Sequence, residues 1–180
     1  MESLYKTYTH APTHYFSSHA VYMVTAGALH REHFIGSDQK KQCVLNDIRH
    51  EIERYKWELV AWVILSNHYH MLLRAPEKAA TLIRLIKNIH TYSAGKLNKL
   101  DDSPSRQVWW NYWDTCITND RSFYARLNYI HWNPVKHGVV RRPEQYRFSS
   151  YNDYYAVDAA RTAELEGDYP FDRVQVFDEF

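Results

Sequence analysis

The sequence predicts an α+β fold of the ferredoxin-like, split βαβ type, an antiparallel sheet with two helices on one face, followed by one further helix. Three observations predict it. Short runs rich in β-branched and aromatic residues, at 21–30, 57–65, 68–74 and 107–118, read as four strands. Two longer stretches between them repeat apolar residues every three or four positions. Their order is strand, helix, strand, strand, helix, strand, which leaves one face of the sheet for a site or a partner.

The elements follow in chain order. Residues 1–20 are polar and rich in His and Tyr without a period, and read as an irregular arm. VYMVTAGALH at 21–30 is the first strand. Gly36-Ser37-Asp38 then supplies a turn and a helix N-cap. Val44, Ile48, Ile52 and Tyr55 make one stripe of a helix over 38–56. WELVAWVIL at 57–65 is a buried strand, Ser66-Asn67 a turn, and HYHMLLR at 68–74 its hairpin partner, ended by Pro76. Leu82, Ile86, Ile89, Ser93 and Leu97 share a face of a second helix over 79–99. After a polar loop, QVWWNYWDTCIT at 107–118 is the fourth strand. Strand alternation puts Trp109 and Trp113 on one face and Trp110 on the other. Asn119-Asp120 caps a third helix over 121–133, which Pro134 is expected to stop.

The 180 residues suit one domain over 1–157 and an acidic tail over 158–180. Formal charge is +1, but it is unevenly spread: the tail holds seven acidic residues and two arginines, which leaves +6 on the body. A basic body suits a nucleic-acid partner, and the tail is either a solvated terminus or an internal competitor folded over the basic face. Fifteen Tyr, seven Phe and six Trp can fill a core or stack on unpaired bases. Cys43 and Cys116 form no CxxC pair, which argues against a cysteine zinc knuckle. No secretory pattern and no membrane-length apolar run is visible, so a soluble, cytoplasmic protein is expected.

Two segments carry chemistry. On the strand at 68–74, His68 and His70 point to one side and Tyr69 and Met71 to the other. Two imidazoles at that spacing are half of a metal site, or else two structural histidines whose ring nitrogens are hydrogen-bonded. On the helix after Asn119, Phe123, Leu127 and Ile130 form the core stripe. Tyr129 lies ~160° from Leu127 at ~100° per residue, with Asn133 one turn beyond it. A tyrosine and an amide thus project together away from the core, either as a surface pair beside Asn-Pro or as a nucleophile beside a metal ligand. A phenol is a poor nucleophile at neutral pH, and a divalent ion that polarises a phosphodiester would permit its attack. Ester exchange of this kind needs no ATP, and no GxxxxGK[ST] loop occurs.

These segments resemble a known family. Asn67-His68-Tyr69-His70 resembles the HUH motif, and YIHWNPVKHGVV at 129–140 resembles the catalytic-tyrosine stretch of single-tyrosine transposases. YWD at 112–114 and PEQYRFSSY at 143–151 are similar to the REP-associated tyrosine transposases, and the likeness runs over residues 15–155. The resemblance implies metal binding by His68, His70 and Asn133, with Mg²⁺ or Mn²⁺ as the ion. It implies Tyr129 as a catalytic nucleophile that forms a 5′-phosphotyrosine, which makes the third helix a catalytic helix. The implied substrate is single-stranded DNA beside a palindromic hairpin, nicked and rejoined by a monomer or homodimer. The competing readings are a hairpin-binding protein without turnover and a zinc hydrolase using the two histidines. Ser66 stands where relatives often have proline, and Ala26-Gly27-Ala28 where they often have an Arg-Gly pair. Tyr124, Tyr151, Tyr154 and Tyr155 are alternative nucleophiles on chemistry alone. Lys136, His137, Arg141, Arg142 and Arg147 are the expected DNA contacts, with Arg84, Lys87 and Lys96 on the second helix as further candidates.

Overall fold

The computed structural model describes residues 16–174 and, before them, the backbone of a short antiparallel pair, β1 (Tyr5–Lys6) with β2 (His14–Tyr15). The order thereafter is β3 (Val21–Ala28), α1 (Asp38–Tyr55), β4 (Glu58–Ile64), β5 (His68–Arg74), α2 (Leu82–Leu100), β6 (Trp109–Ile117), α3 (Asp120–Lys136), α4 (Tyr151–Val157) and α5 (Ala159–Asp168). The four long strands form one antiparallel sheet in the order β4-β5-β3-β6. This is the α+β split βαβ arrangement read from the sequence. Each of α1 and α2 crosses over to a strand two places away, so both lie on the same face.

Local chemistry explains the boundaries. Ser37 caps α1 by accepting from the Lys40 amide, and Lys56 closes the helix in the left-handed region. The apolar stripe Val44, Ile48 and Ile52 is buried, as are Leu82, Ile86, Ile89, Ser93 and Leu97 of α2. Tyr69, Met71 and Leu73 turn toward these helices, and the Tyr69 hydroxyl meets His90 Nε2 at 2.9 Å. His68, His70 and Leu72 turn the other way.

The opposite face is not left open over β4 and β5, because α3 lies across it. The chain then returns along β4, where Ile64 N–H donates to the Phe148 carbonyl and Ser150 N–H to the Trp62 carbonyl, both at 2.9 Å. From there α4 and α5 pack on the outer side of α3. Asn128 donates to the carbonyls of Leu165 and Tyr169 at 2.7 Å each, His131 Nε2 meets Ser150 Oγ at 3.0 Å, and Trp132 stacks on Phe171 at 5.3 Å. The segment after 157 therefore continues as helix α5 bound to the body, rather than as a loose tail. Residues 175–180 lie outside the described region.

Two further expectations change. Pro134 does not stop α3, which runs through it to Lys136. It sits in the last turn, where a missing N–H costs a single backbone bond. His137 N–H still reaches the Asn133 carbonyl at 3.0 Å, and Gly138, at φ +67°, turns the chain. The tryptophans also divide differently. Ala26 faces Tyr112 and Ala28 faces Trp109, so a bulge adds one residue to β6. Trp109 consequently packs on the helix side against His90 and Tyr69, whereas Trp113, opposite Thr25, belongs to the face that carries His70.

Candidate active site

The site lies where α3 crosses β5. Tyr129 and Asn133 do face away from Leu127, but that direction leads to the second face of the sheet and not to solvent. Tyr129 is 1% exposed and Asn133 0%, beside His68 at 1% and His70 at 0%. Residues 127–131 of α3 are all buried, since the sheet covers one side and α4 and α5 another. An isolated helix projection cannot foresee a second layer, which is why a pair read as projecting away from the core is an interior one.

Asn133 bridges the two histidines. Its Oδ1 lies 3.1 Å from His68 Nε2, and its Nδ2 lies 3.2 Å from His70 Nε2. The outer nitrogens are anchored as well. Thr25 Oγ1 is 2.8 Å from His70 Nδ1, and Asn67 Oδ1 is 2.7 Å from His68 Nδ1. Asn67 is itself oriented, because its Nδ2 donates to the Arg31 carbonyl at 3.2 Å. Asn67 Oδ1 must then accept from His68 Nδ1–H, which makes His68 Nε2 the bare nitrogen. By the same logic Asn133 Nδ2 donates to a bare His70 Nε2, and His70 Nδ1–H donates to Thr25. Both imidazoles hold one tautomer, with the Nε2 lone pairs converging on the Asn133 amide.

Burial enforces neutrality. Desolvation, with His137 next, pushes His68 down to about 3, and desolvation with the neighbouring His68 holds His70 well below its ordinary value. Neutral imidazole is the metal-binding form. His68 Nε2 and Asn133 Oδ1 are both acceptors, yet they face each other at 3.1 Å, an arrangement that a cation between them reconciles. Two imidazole nitrogens and an amide oxygen therefore fit a divalent ion. Among the described residues no cluster of three His, Cys, Asp or Glu side chains makes an alternative metal cage.

The other half of the site is the phenol. The Tyr129 ring meets His70 edge-on at 5.4 Å. Lys136 Nζ donates to the Tyr129 oxygen at 2.9 Å, and the His137 ring lies 4.9 Å from that of His68. Lys136 and His137, expected among the DNA contacts, are thus in the site, because α3 continues through Pro134. Burial lowers both; for His137 the Lys136 charge adds to it. Arg141, Arg142 and Arg147 lie on the loop beyond. Arg142 pairs with Glu144 at 3.0 Å and Arg147 with Asp38 at 3.2 Å, while Lys96 on α2 pairs with Asp47. The rival tyrosines are engaged elsewhere. Tyr154 donates to the Val60 carbonyl, Tyr151 stacks on Tyr155, and Tyr124 lies against Tyr169. Thr25 went unnoticed in the sequence, because only strand register brings it opposite His70. Asn67 was visible in the motif, but its two-sided anchoring was not.

Comparison with known proteins gives the family. The family model for IS200-like transposases matches residues 16–133, and so spans both histidines, Tyr129 and Asn133. The chain belongs to this transposase family. Within the family it is 31% identical over 133 residues to the REP-associated tyrosine transposase of Escherichia coli (strain K12), covering 69% of this chain and 70% of that one. A relative in Haemophilus influenzae (strain ATCC 51907 / DSM 11121 / KW20 / Rd) is 31% identical over 109 residues, 56% of this chain and 62% of its own. A solved REP-associated tyrosine transposase bound to a REP hairpin superposes with a TM-score of 0.67 at 22% identity, over 97% of this chain and 94% of that one. This transposase therefore shares the fold of that protein through α5 as well as through the sheet. No helix among the described residues is long and apolar enough to cross a membrane.

Proposed function

We propose that this transposase nicks and rejoins single-stranded DNA beside palindromic hairpins through a 5′-phosphotyrosine on Tyr129. The observation that carries the reading is the convergence of the Tyr129 phenol, two neutral imidazole nitrogens and the Asn133 amide oxygen at one buried locus. His68, His70 and Asn133 would hold Mg²⁺ or Mn²⁺, which would polarise the scissile phosphodiester. Asn67 and Thr25 fix the two rings, so the donors are organised before the ion arrives. Tyr129 attacks phosphorus, a tyrosyl phosphoester forms, and the 3′ oxygen leaves as a hydroxyl. Attack by another 3′ hydroxyl reverses the step and frees the phenol. Because an ester is exchanged for an ester, no external energy source is required. Hairpin DNA as the substrate is supported by the relative that was solved with a REP hairpin. The expected setting is the cytoplasm, and the expected unit a monomer or homodimer.

The test is incubation with a single strand bearing a REP-type hairpin and Mn²⁺, resolved on a denaturing gel. A protein–DNA adduct that vanishes with EDTA and in Tyr129→Phe supports the proposal. Hairpin binding without cleavage sinks it in favour of a silent binding protein. Cleavage without a protein-linked product points to a hydrolase.

A further inference from the structure

We propose that Lys136 is a catalytic residue of the strand exchange: its ammonium holds the Tyr129 oxygen and carries the negative charge that develops there. The inference rests on the strand-transfer reading above and names a residue that reading does not use. Position is the first argument. Lys136 lies seven residues, about two turns, after Tyr129, and its side chain reaches back along α3. It is on the helix only because α3 runs through Pro134. Its Nζ comes within 2.9 Å of the phenol oxygen and 4.6 Å of the ring centroid, so it caps both the polar tip and the face of the ring.

Donor chemistry is the second argument. An ammonium has three donors and no acceptor, so in this contact the phenol oxygen must accept. While it is protonated, Lys136 has no lone pair with which to accept the phenol proton, so its part in this contact is that of a donor. In the forward step the phenol O–H bond breaks and its proton passes to solvent. The bond from oxygen to phosphorus forms as the bond from phosphorus to the 3′ oxygen breaks. The 3′ oxygen takes a proton from solvent, and Lys136 keeps its own throughout. In the reverse step the same phenolate is the leaving group and meets the same ammonium, so one residue assists both directions of the exchange.

Other cations near the helix are directed elsewhere. Arg126 is on the same side of α3, but its guanidinium turns back to the Ser122 carbonyl and hydroxyl. On the following loop Arg142 pairs with Glu144, and Arg147 pairs with Asp38 at the start of α1. Lys136 itself is exposed, but its ammonium is held against the oxygen of Tyr129, which is buried.

The experiment measures single-turnover adduct formation and rejoining at saturating hairpin DNA and Mn²⁺, with hairpin affinity measured separately across salt. For Lys136→Met we expect both rates to fall by roughly 10²-fold, the scale of removing one preorganised donor from a developing oxyanion. Hairpin affinity should change by less than about threefold with an unaltered salt slope, and Lys136→Arg should recover at least tenfold of the rate. A Lys136→Met variant with weakened affinity, a salt slope reduced by about 0.7 and an unchanged rate at saturation would make Lys136 a phosphate contact and overturn the proposal. If Lys136→Met loses the fold, the comparison passes to Lys136→Arg and Lys136→Gln. A tenfold advantage for arginine supports the role, and equal rates overturn it. A Tyr129-dependent adduct made equally fast by all variants removes this inference alone. No adduct with the unaltered chain removes the strand-transfer reading and this inference with it.

Discussion

Thr25→Val probes whether the site is organised in advance. The two side chains are nearly the same size, and Thr25 is 2% exposed, so the change swaps a hydroxyl for a methyl without opening a cavity. It removes the 2.8 Å partner of His70 Nδ1. The ring itself is fully buried, so its N–H then has no protein acceptor at that position. An orphaned buried donor costs about 1–3 kcal/mol. That same energy had favoured the tautomer with a bare Nε2. Losing it lets the ring protonate Nε2 instead and, once the Asn133 amide flips to present Oδ1, donate to it, which hides the metal-facing lone pair. At 1.4 kcal/mol per factor of ten, the competent fraction falls by roughly 5–150-fold, and apparent metal affinity falls with it. This agrees with the 10–100-fold typical of residues that orient metal-bound histidines. The assay is adduct formation as a function of Mn²⁺. The midpoint should move up by about tenfold or more, while the rate at saturating Mn²⁺ stays within about threefold of the unaltered chain. An unchanged midpoint with a reduced plateau would refute the reasoning, since Thr25 would then act on the chemistry and not on the ligand.

Other predictions test other parts of the structure. Asn67→Ala should also raise the Mn²⁺ midpoint, by freeing His68 Nδ1, and an unshifted titration would show that ring to be held by packing alone. Asn128→Ala leaves the Leu165 and Tyr169 carbonyls without their shared donor and should lower stability by about 1–3 kcal/mol in urea, whereas a midpoint equal to the parent's would mean that α5 is not anchored there. His90 and His131 are both pushed down by burial to about 3, against 6.5 when exposed. The folded state then binds fewer protons than the unfolded one, so their contribution is full above pH 6.5 and is lost progressively as pH falls toward 3. Urea midpoints should therefore drop between pH 7.5 and 5.5, and His131→Gln should flatten that drop; a midpoint independent of pH over this range would contradict the assignment.

Much of the fold was legible because periodicity reports directly on which side of an element is covered. The alternation His68, His70 against Tyr69, Met71 and the stripe Val44, Ile48, Ile52 translate into faces without knowledge of any neighbour. What depends on neighbours was not legible. Tyr129 has the angular position read from the sequence, yet whether that direction leads to water or to a second layer depends on where the sheet lies. The bulge between Ala26 and Ala28 is likewise a property of two strands in register, and it alone moves Trp109 to the α2 side. Thr25 belongs to the same class, since only pairing with β5 sets it against His70.

Pro134 shows how one local misreading hides a functional contact. If the helix ended at 133, Lys136 and His137 would begin a loop and would read as two more phosphate contacts. The cost of a proline depends on its position: here it forfeits one hydrogen bond, the one the Ile130 carbonyl would have accepted, and only Val135 and Lys136 of the helix follow it. That small loss is offset by what the extra turn gains, a cation on the phenol oxygen and an imidazole against His68. The same continuation aligns Tyr129, Asn133, Lys136 and His137 on one side of a single rigid element. The proposed nucleophile, the proposed ligand and the cation therefore cannot drift relative to one another without bending α3. With α4 and α5 packed on its far side, a bend must also break the Asn128 and His131 contacts. The C-terminal helices thereby contribute to the site's geometry without touching it. Asn128→Ala should consequently lower the adduct rate at saturating DNA even under conditions where the chain remains fully folded.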